Sequence, residues 1–358
     1  DNIAIGKQAL AANTTGTPNL AVGINALATN TTGPDNAAFG YEAMEDNTTG
    51  GYNTALGGYS LKSNTTGNYN VAVGRTALNS NTTASNNTAV GYQALKDNTT
   101  GTRNVAVGFE ALELNTASDN VAVGHKALDT TTSGSNNTAV GTECMDANTT
   151  GEANVAMGYR TLDANTTGSS NVAVGQQALG ANTTASYNTS IGKDSLKATT
   201  TGQSNSGLGY KSMEANTTGG SNTALGYYAL SANTTAGNNV AVGADALALN
   251  TTGASNVAMG ASALDANTTG SSNVAIGWNS MTSNTTASEN TAVGQSSLGL
   301  NTTGSRLAAV GKDALGANTT GQRSSALGWG ALKANTTGNY NTAIGDIALY
   351  ANTTGSNN

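Results

Sequence analysis

The chain has 358 residues, a length that ordinarily suggests two globular domains, yet 46 of them are Gly and only 10% are charged. Phe and Trp occur twice each, too few large side chains to fill two conventional round cores. The net charge of -7 and pI near 4.6 exclude a nucleic-acid footprint, which needs clustered Lys and Arg, and no run of eighteen apolar residues is present to span a membrane.

No signal peptide is visible, and the chain opens at Asp1 without an initiator Met. The single cysteine, Cys144, excludes a disulfide framework and leaves the redox compartment open.

From the N-terminus onward, one phrase recurs. Gly6, Gly23, Gly40, Gly57, Gly74, Gly91 and Gly108 are spaced by 17 residues. Gly124 comes one residue early, and the spacing of 17 then resumes through Gly345. Twenty copies of 17 and one of 16 fill the chain. Both ends fall in phase with the repeat, so residues 1–358 are expected to be a single continuous repeat array, a segment of a longer fibre. A fixed short period along a whole chain signals a repeat architecture.

With the Asn of each copy as position 0, position 3 is hydrophobic throughout, from Ile5 and Val22 to Ile344, and position 4 is always Gly. Position 8 is Leu in 17 copies and Met in four (Met44, Met145, Met213, Met281). Positions 2 and 7 are nearly always Ala, Ser or Thr. Positions 5, 6, 9, 10, 15 and 16 vary freely and hold almost all the charges, which places them in solvent. The fixed apolar positions 1, 3 and 8 share no 3.6-residue stripe, so a helix is excluded.

The pattern fits two short strands, positions 0–3 and 5–8, separated by a Gly turn. N-T-T-G at positions 11–14 makes the second corner, where Asn and Thr side chains bond nearby backbone. Stacked coils of this kind predict an all-β fold: a parallel β-solenoid, or β-roll, of about 21 coils with 17 residues per coil. Positions 1, 3 and 8 are expected inside. One coil buries too little to offset the ordering of its backbone, so stacking must supply the rest. Ala on one strand face and Val or Ile on the other make both faces apolar, which predicts lateral packing against other copies of the chain.

The phrase N-[VT]-A-[VI]-G, as in Asn104-Val105-Ala106-Val107-Gly108, resembles the head repeats of trimeric autotransporter adhesins and the repeats of bacterial surface and phage tail-fibre-like proteins. The resemblance covers all 21 copies, with N-T-T-G as an extra insert. It implies a parallel β-roll, three chains about one axis, outside the cell, acting as an adhesive or structural fibre.

Eighteen copies carry the Asn-Thr-Thr sequon for N-linked sugar: Asn13, Asn30, Asn47, Asn64, Asn81, Asn98, Asn148, Asn165, Asn182, Asn216, Asn233, Asn250, Asn267, Asn284, Asn301, Asn318, Asn335 and Asn352. Asn86-Asn87-Thr88 and Asn136-Asn137-Thr138 add two at repeat junctions. Asn115 has lost a Thr to the deletion, and Thr131 and Thr199 replace the Asn. The competing reading is an Asn ladder bonded from coil to coil. The two exclude each other at any one residue, because a glycan must point outward. The Thr residues are open to O-linked sugar under either. A flat ice-binding face is disfavoured, since adjacent residues such as Thr99 and Thr100 point oppositely in a strand.

Catalytic chemistry has little support. His125 and Cys144 are each the only residue of their type and lie in different copies. His125 sits at variable position 5 and reads as a surface residue; Cys144 replaces an Ala and reads as a packed small side chain. Zinc spacing, a phosphate loop and the calcium nonapeptide are all missing. Acidic pairs such as Glu45-Asp46 read as solvated surface. Position 5 is aromatic in eight copies (Tyr41, Tyr92, Phe109, Tyr159, Tyr210, Tyr227, Trp278, Trp329), offering either cross-coil packing or rings that stack on sugars.

The expectation is therefore a non-enzymatic, structural extracellular fibre of the cell or virion surface, with no cofactor, no metal and no catalytic residue. Its expected partners are copies of itself, as a homo-oligomer (a trimer) or a filament, and glycans. The alternative is an adhesin or lectin-like fibre that binds host or matrix ligands.

Overall fold

A computed structural model describes residues 1–358. The chain is all-β, a parallel β-solenoid with 21 short strands and no helix. Asp1–Gln177 and Ala178–Asn358 form two compact units, and both are built from the same coil.

Each strand is short, as in Thr88–Val90 (TAV), Val105–Val107 (VAV) or Val240–Val242 (VAV). Its outer residues are mostly β-branched, which suits a pleated ribbon. It stops at the invariant Gly. Neighbouring strands pair in parallel with like residues opposite: Thr88 faces Val105, Ala89 faces Ala106 and Val90 faces Val107. Val240–Val242 and Val257–Met259 repeat the arrangement in the second unit. Across the short copy, Val105 still faces Val121, so the missing residue is taken up in the corner and the strand register is kept.

The turn at the strand end needs glycine. Position 4 has φ between +125° and +145° in all copies. A Cβ on Gly91 would stand 2.2 Å from the Gly108 carbonyl oxygen in the next coil. Only a residue without a side chain lets the backbones approach so closely.

The expected second strand at positions 5–8 is absent. The chain there forms an arc of successive turns, with left-handed backbone at position 6 and at position 8, where φ lies between 50° and 56°. In the coil Asn87–Arg103, Lys96 N donates to Gln93 O at 3.2 Å and Asn98 N to Leu95 O at 3.3 Å. The left-handed state costs a branched residue such as Leu about 1–2 kcal/mol. Bonds between coils offset it: Leu95 N donates to Ala111 O at 3.0 Å and Asp97 N to Glu113 O at 2.9 Å.

The core also differs from expectation. Inside lie Ala89 and Ala94 at positions 2 and 7, with Leu95 at position 8, all fully buried, and the same trio repeats as Ala106, Ala111 and Leu112. Positions 1 and 3 point outward; none of the position-3 side chains is buried. The lap is so narrow that the facing walls accept Ala, and a single Leu or Met fills each layer. Cys144 sits at the position-7 wall, fully buried.

Candidate functional surface

Three faces of the coil carry side chains available for function. The first is the N-T-T-G corner. The sixteen sequon asparagines from Asn30 to Asn335 are fully buried, and Asn13 and Asn352 in the terminal coils are half-buried. Their amides form a ladder: Asn47 Nδ2 donates to Asn30 Oδ1 at 2.7 Å, and Asn64 Nδ2 to Asn47 Oδ1 at 2.7 Å. The same nitrogens also donate to the corner carbonyls, Gly50 O at 2.9 Å and Gly67 O at 3.0 Å. A sugar on Nδ2 would have to displace both acceptors and the neighbouring coil. The ladder and the glycan exclude each other, and the folded geometry at these asparagines is that of the ladder. The junction residues Asn86 and Asn136 are exposed.

A second ladder was not anticipated. Position 0 is Asn in 19 copies, and its side chain bonds backbone on both sides. Asn87 N donates to Asn70 Oδ1 at 3.0 Å, Asn104 N to Asn87 Oδ1 at 2.9 Å, and Asn87 Nδ2 to Gly101 O at 2.9 Å. The signal was the recurrence of an amide beside an apolar triplet, which reads as part of a strand unless the lap is known to close there.

The two corner threonines divide. The first is bonded, with Thr31 Oγ1 donating to Thr48 O at 3.0 Å and Thr48 Oγ1 to Thr65 O at 2.9 Å. The second, as in Thr32, Thr49 and Thr66, is exposed.

The outer sheet face is formed by positions 1 and 3, which hold no charged residue in any copy. Its apolar side chains are open to solvent; Phe39 is 54% exposed, Met157 45% and Leu327 50%.

The turn arc carries most of the aromatics and most charges. Rings at position 5 stack along the axis: Tyr92 on Phe109 at 5.4 Å and Phe109 on His125 at 5.3 Å. In the second unit Tyr210 stacks on Tyr227 at 5.5 Å, Tyr228 meets Tyr227 edge-on at 4.5 Å, and Lys211 lies over Tyr210 and Tyr228. Trp278 and Trp329 remain exposed. Consecutive glycines at position 9, Gly299 and Gly316, line a cavity of about 280 Å³ together with Asn279, Ser296, Leu300, Asp313 and Lys333.

An acidic column, Glu113, Asp129, Asp146 and Asp163, occupies position 9 of consecutive copies. Lys96 pairs with Glu113 at 2.7 Å and Lys126 with Asp129 at 3.4 Å. Burial pushes the Asp129, Asp146 and Asp163 carboxyls up, and the stacked like charges add to this at Asp146. No group of three or more His, Cys, Asp or Glu is placed to hold a metal ion. His125 is exposed against Phe109. Burial pushes the Cys144 thiol up to about 12, far from the thiolate that nucleophilic chemistry needs. The structure does not bring His125 and Cys144 into one site.

Comparison with known proteins finds no matching family model, no matching curated protein and no matching solved structure. No helix is long and apolar enough to cross a membrane.

Proposed function

We propose that this chain is a non-enzymatic structural element of an extracellular fibre on a cell or virion surface, contributing length, stiffness and a repeated surface. The observation that supports this most is the equivalence of the coils. Most satisfy their buried polar groups on the coils before and after them, through two Asn ladders and the position-1 to position-3 strands. Such a unit is extended by adding copies, and its stability is approximately a sum of coil and nearest-neighbour terms. The uncharged outer sheet face is the surface through which copies associate into a trimer or filament. Burying that apolar stripe supplies the driving force, and no charge has to be desolvated.

The test is to remove whole coils from either end of the chain. Stability should decline gradually and fail only when few coils remain. Collapse on losing one particular region would contradict the reading. Electron microscopy and sedimentation on Val107→Lys and Met157→Lys variants test the association: lateral assembly should be lost while the β circular dichroism is kept.

A second reading, an adhesin or lectin-like fibre, is favoured by the exposed rings of Trp278 and Trp329. Selective binding on a glycan array, lost in Trp278→Ala, would support it over the purely structural role.

A further inference from the structure

The corner holds a hydroxyl column that the fold does not use. Position 13 is Thr in nineteen copies and Ser133 in one; the short copy lacks it, since Thr116 Oγ1 donates to Thr132 O at 2.8 Å as a first threonine does. All twenty of these residues are exposed. The Thr32, Thr49, Thr66 and Thr303 hydroxyls bond no protein group. On the solvent-facing positions 5, 6, 9, 10, 15 and 16, charge and size vary freely. This one keeps its hydroxyl.

Two substitutions narrow the reason. Ser133 keeps the hydroxyl and drops the methyl, so methyl packing does not account for the pattern. Where Thr131 and Thr199 replace the ladder Asn, the sequon is lost, yet Ser133 and Thr201 retain the hydroxyl. The hydroxyl is held independently of the Asn.

We propose that the second threonine of each corner, together with Ser133, is the attachment site of O-linked sugar, and that the buried ladder asparagines are not. The threonine Oγ1 attacks the anomeric carbon of a nucleoside-diphosphate-activated sugar. The bond from that carbon to the phosphate oxygen breaks, the nucleoside diphosphate leaves with the electron pair, and the hydroxyl proton passes to a base of the transferase. Acceptors recur about every 4.8 Å along stacked strands, so single sugars or unbranched chains fit and branched trees do not. Sugar suits the column better than phosphate does. Phosphate would add about 1.5 to 2 negative charges at every step of that spacing, on a chain already at -7. The acceptor column exists whether or not the chain assembles into a fibre.

The experiment is intact-mass and site-resolved fragmentation of the full chain purified from its producing cells. The expected result is a mass above 35.3 kDa in sugar-sized steps, with the sugars on second threonines, removed by alkaline β-elimination and kept after an amidase specific for N-linked glycans. Thr66→Val should lower the mass by one glycan, and Thr66→Ser should retain it. A bare-chain mass, phosphate-sized steps, or sugar confined to the ladder asparagines or to first threonines such as Thr65 would overturn the proposal.

Discussion

Asn87 and Asn98 donate to one oxygen: each Nδ2 stands 2.9 Å from the Gly101 carbonyl. Asn87 belongs to the preceding end of the lap and Asn98 to its corner, so this carbonyl ties both ladders together. In the next coil Asn104 and Asn115 converge in the same way on Ala117 O, both at 2.8 Å. A buried carbonyl has two lone pairs, and here both are used. The brace is what closes a lap that has only one strand.

Removing a ladder residue should therefore cost more than its size suggests. Asn64→Ala deletes the donor to Asn47 Oδ1 and the acceptor for Asn81 Nδ2. With buried partners left unmade, the local loss should be about 3 kcal/mol. Asn13→Ala, in the half-buried first coil, should cost less than about 1 kcal/mol. Hydrogen exchange of the flanking amides reads both; equal losses would contradict a ladder.

The short copy interrupts this ladder. Asn98 Oδ1 is buried without a partner, because Asn115 turns its Nδ2 to Ala117 O and its Oδ1 to Asn120. Inserting one Thr between Thr116 and Ala117 should restore the seventeen-residue lap and give Asn98 its donor. A gain of about 1–2 kcal/mol in local protection is expected from satisfying that oxygen. Unchanged exchange around Asn98 would show that the gap carries no penalty.

Two glycines ten residues apart should behave differently. The Cβ of Gly91→Ala would meet Gly108 O, and its φ of +141° is closed to L-residues. A loss above about 3 kcal/mol is expected. Gly101→Ala also meets a carbonyl oxygen, at 2.1 Å, yet the chain places Ala84, Ala185, Ala236 and Ala287 at the equivalent corner. The backbone gives way there, so the change should stay within about 1 kcal/mol. Thermal melts of the two variants check the order.

The contribution of the position-9 aspartates to stability should fall as pH rises through the aspartate range. Asp146 is pushed up by burial first, then by Asp163, Glu143 and Asp129, which face it from its own and adjacent coils. Its folded pKa lies above the unfolded one. Its stabilising contribution is then fully present below the unfolded pKa and is lost as pH rises through the folded value. Asp146→Asn should raise the melting temperature at neutral pH and leave it unchanged in acid. An equal effect at both would remove carboxylate repulsion as the cause.

Much of the site was legible in the copies themselves. The corner Asn at position 11 stood out as a ladder or a glycan acceptor because it recurred with a sequon. The decision between them needed the direction of the side chain. The Asn at position 0 was missed because an amide at a strand end has no period of its own. The outward direction of position 3 was missed because constancy and apolarity usually mark the core. Here they mark an open sheet face.

By itself, the sequence determined the seventeen-residue lap, the Gly at which the strand must turn and the N-T-T-G corner. Each is a local requirement repeated in phase, and backbone hydrogen bonding between equal laps follows from the period alone. Only the tertiary structure decided which side of the strand faces inward, that positions 5–10 form an arc of turns with left-handed backbone at positions 6 and 8, and that Asn98 is buried while Thr100 is exposed. Those choices depend on how the lap closes on itself, with Ala at the narrow walls and two amides meeting on one carbonyl, and no single stretch of chain encodes that closure.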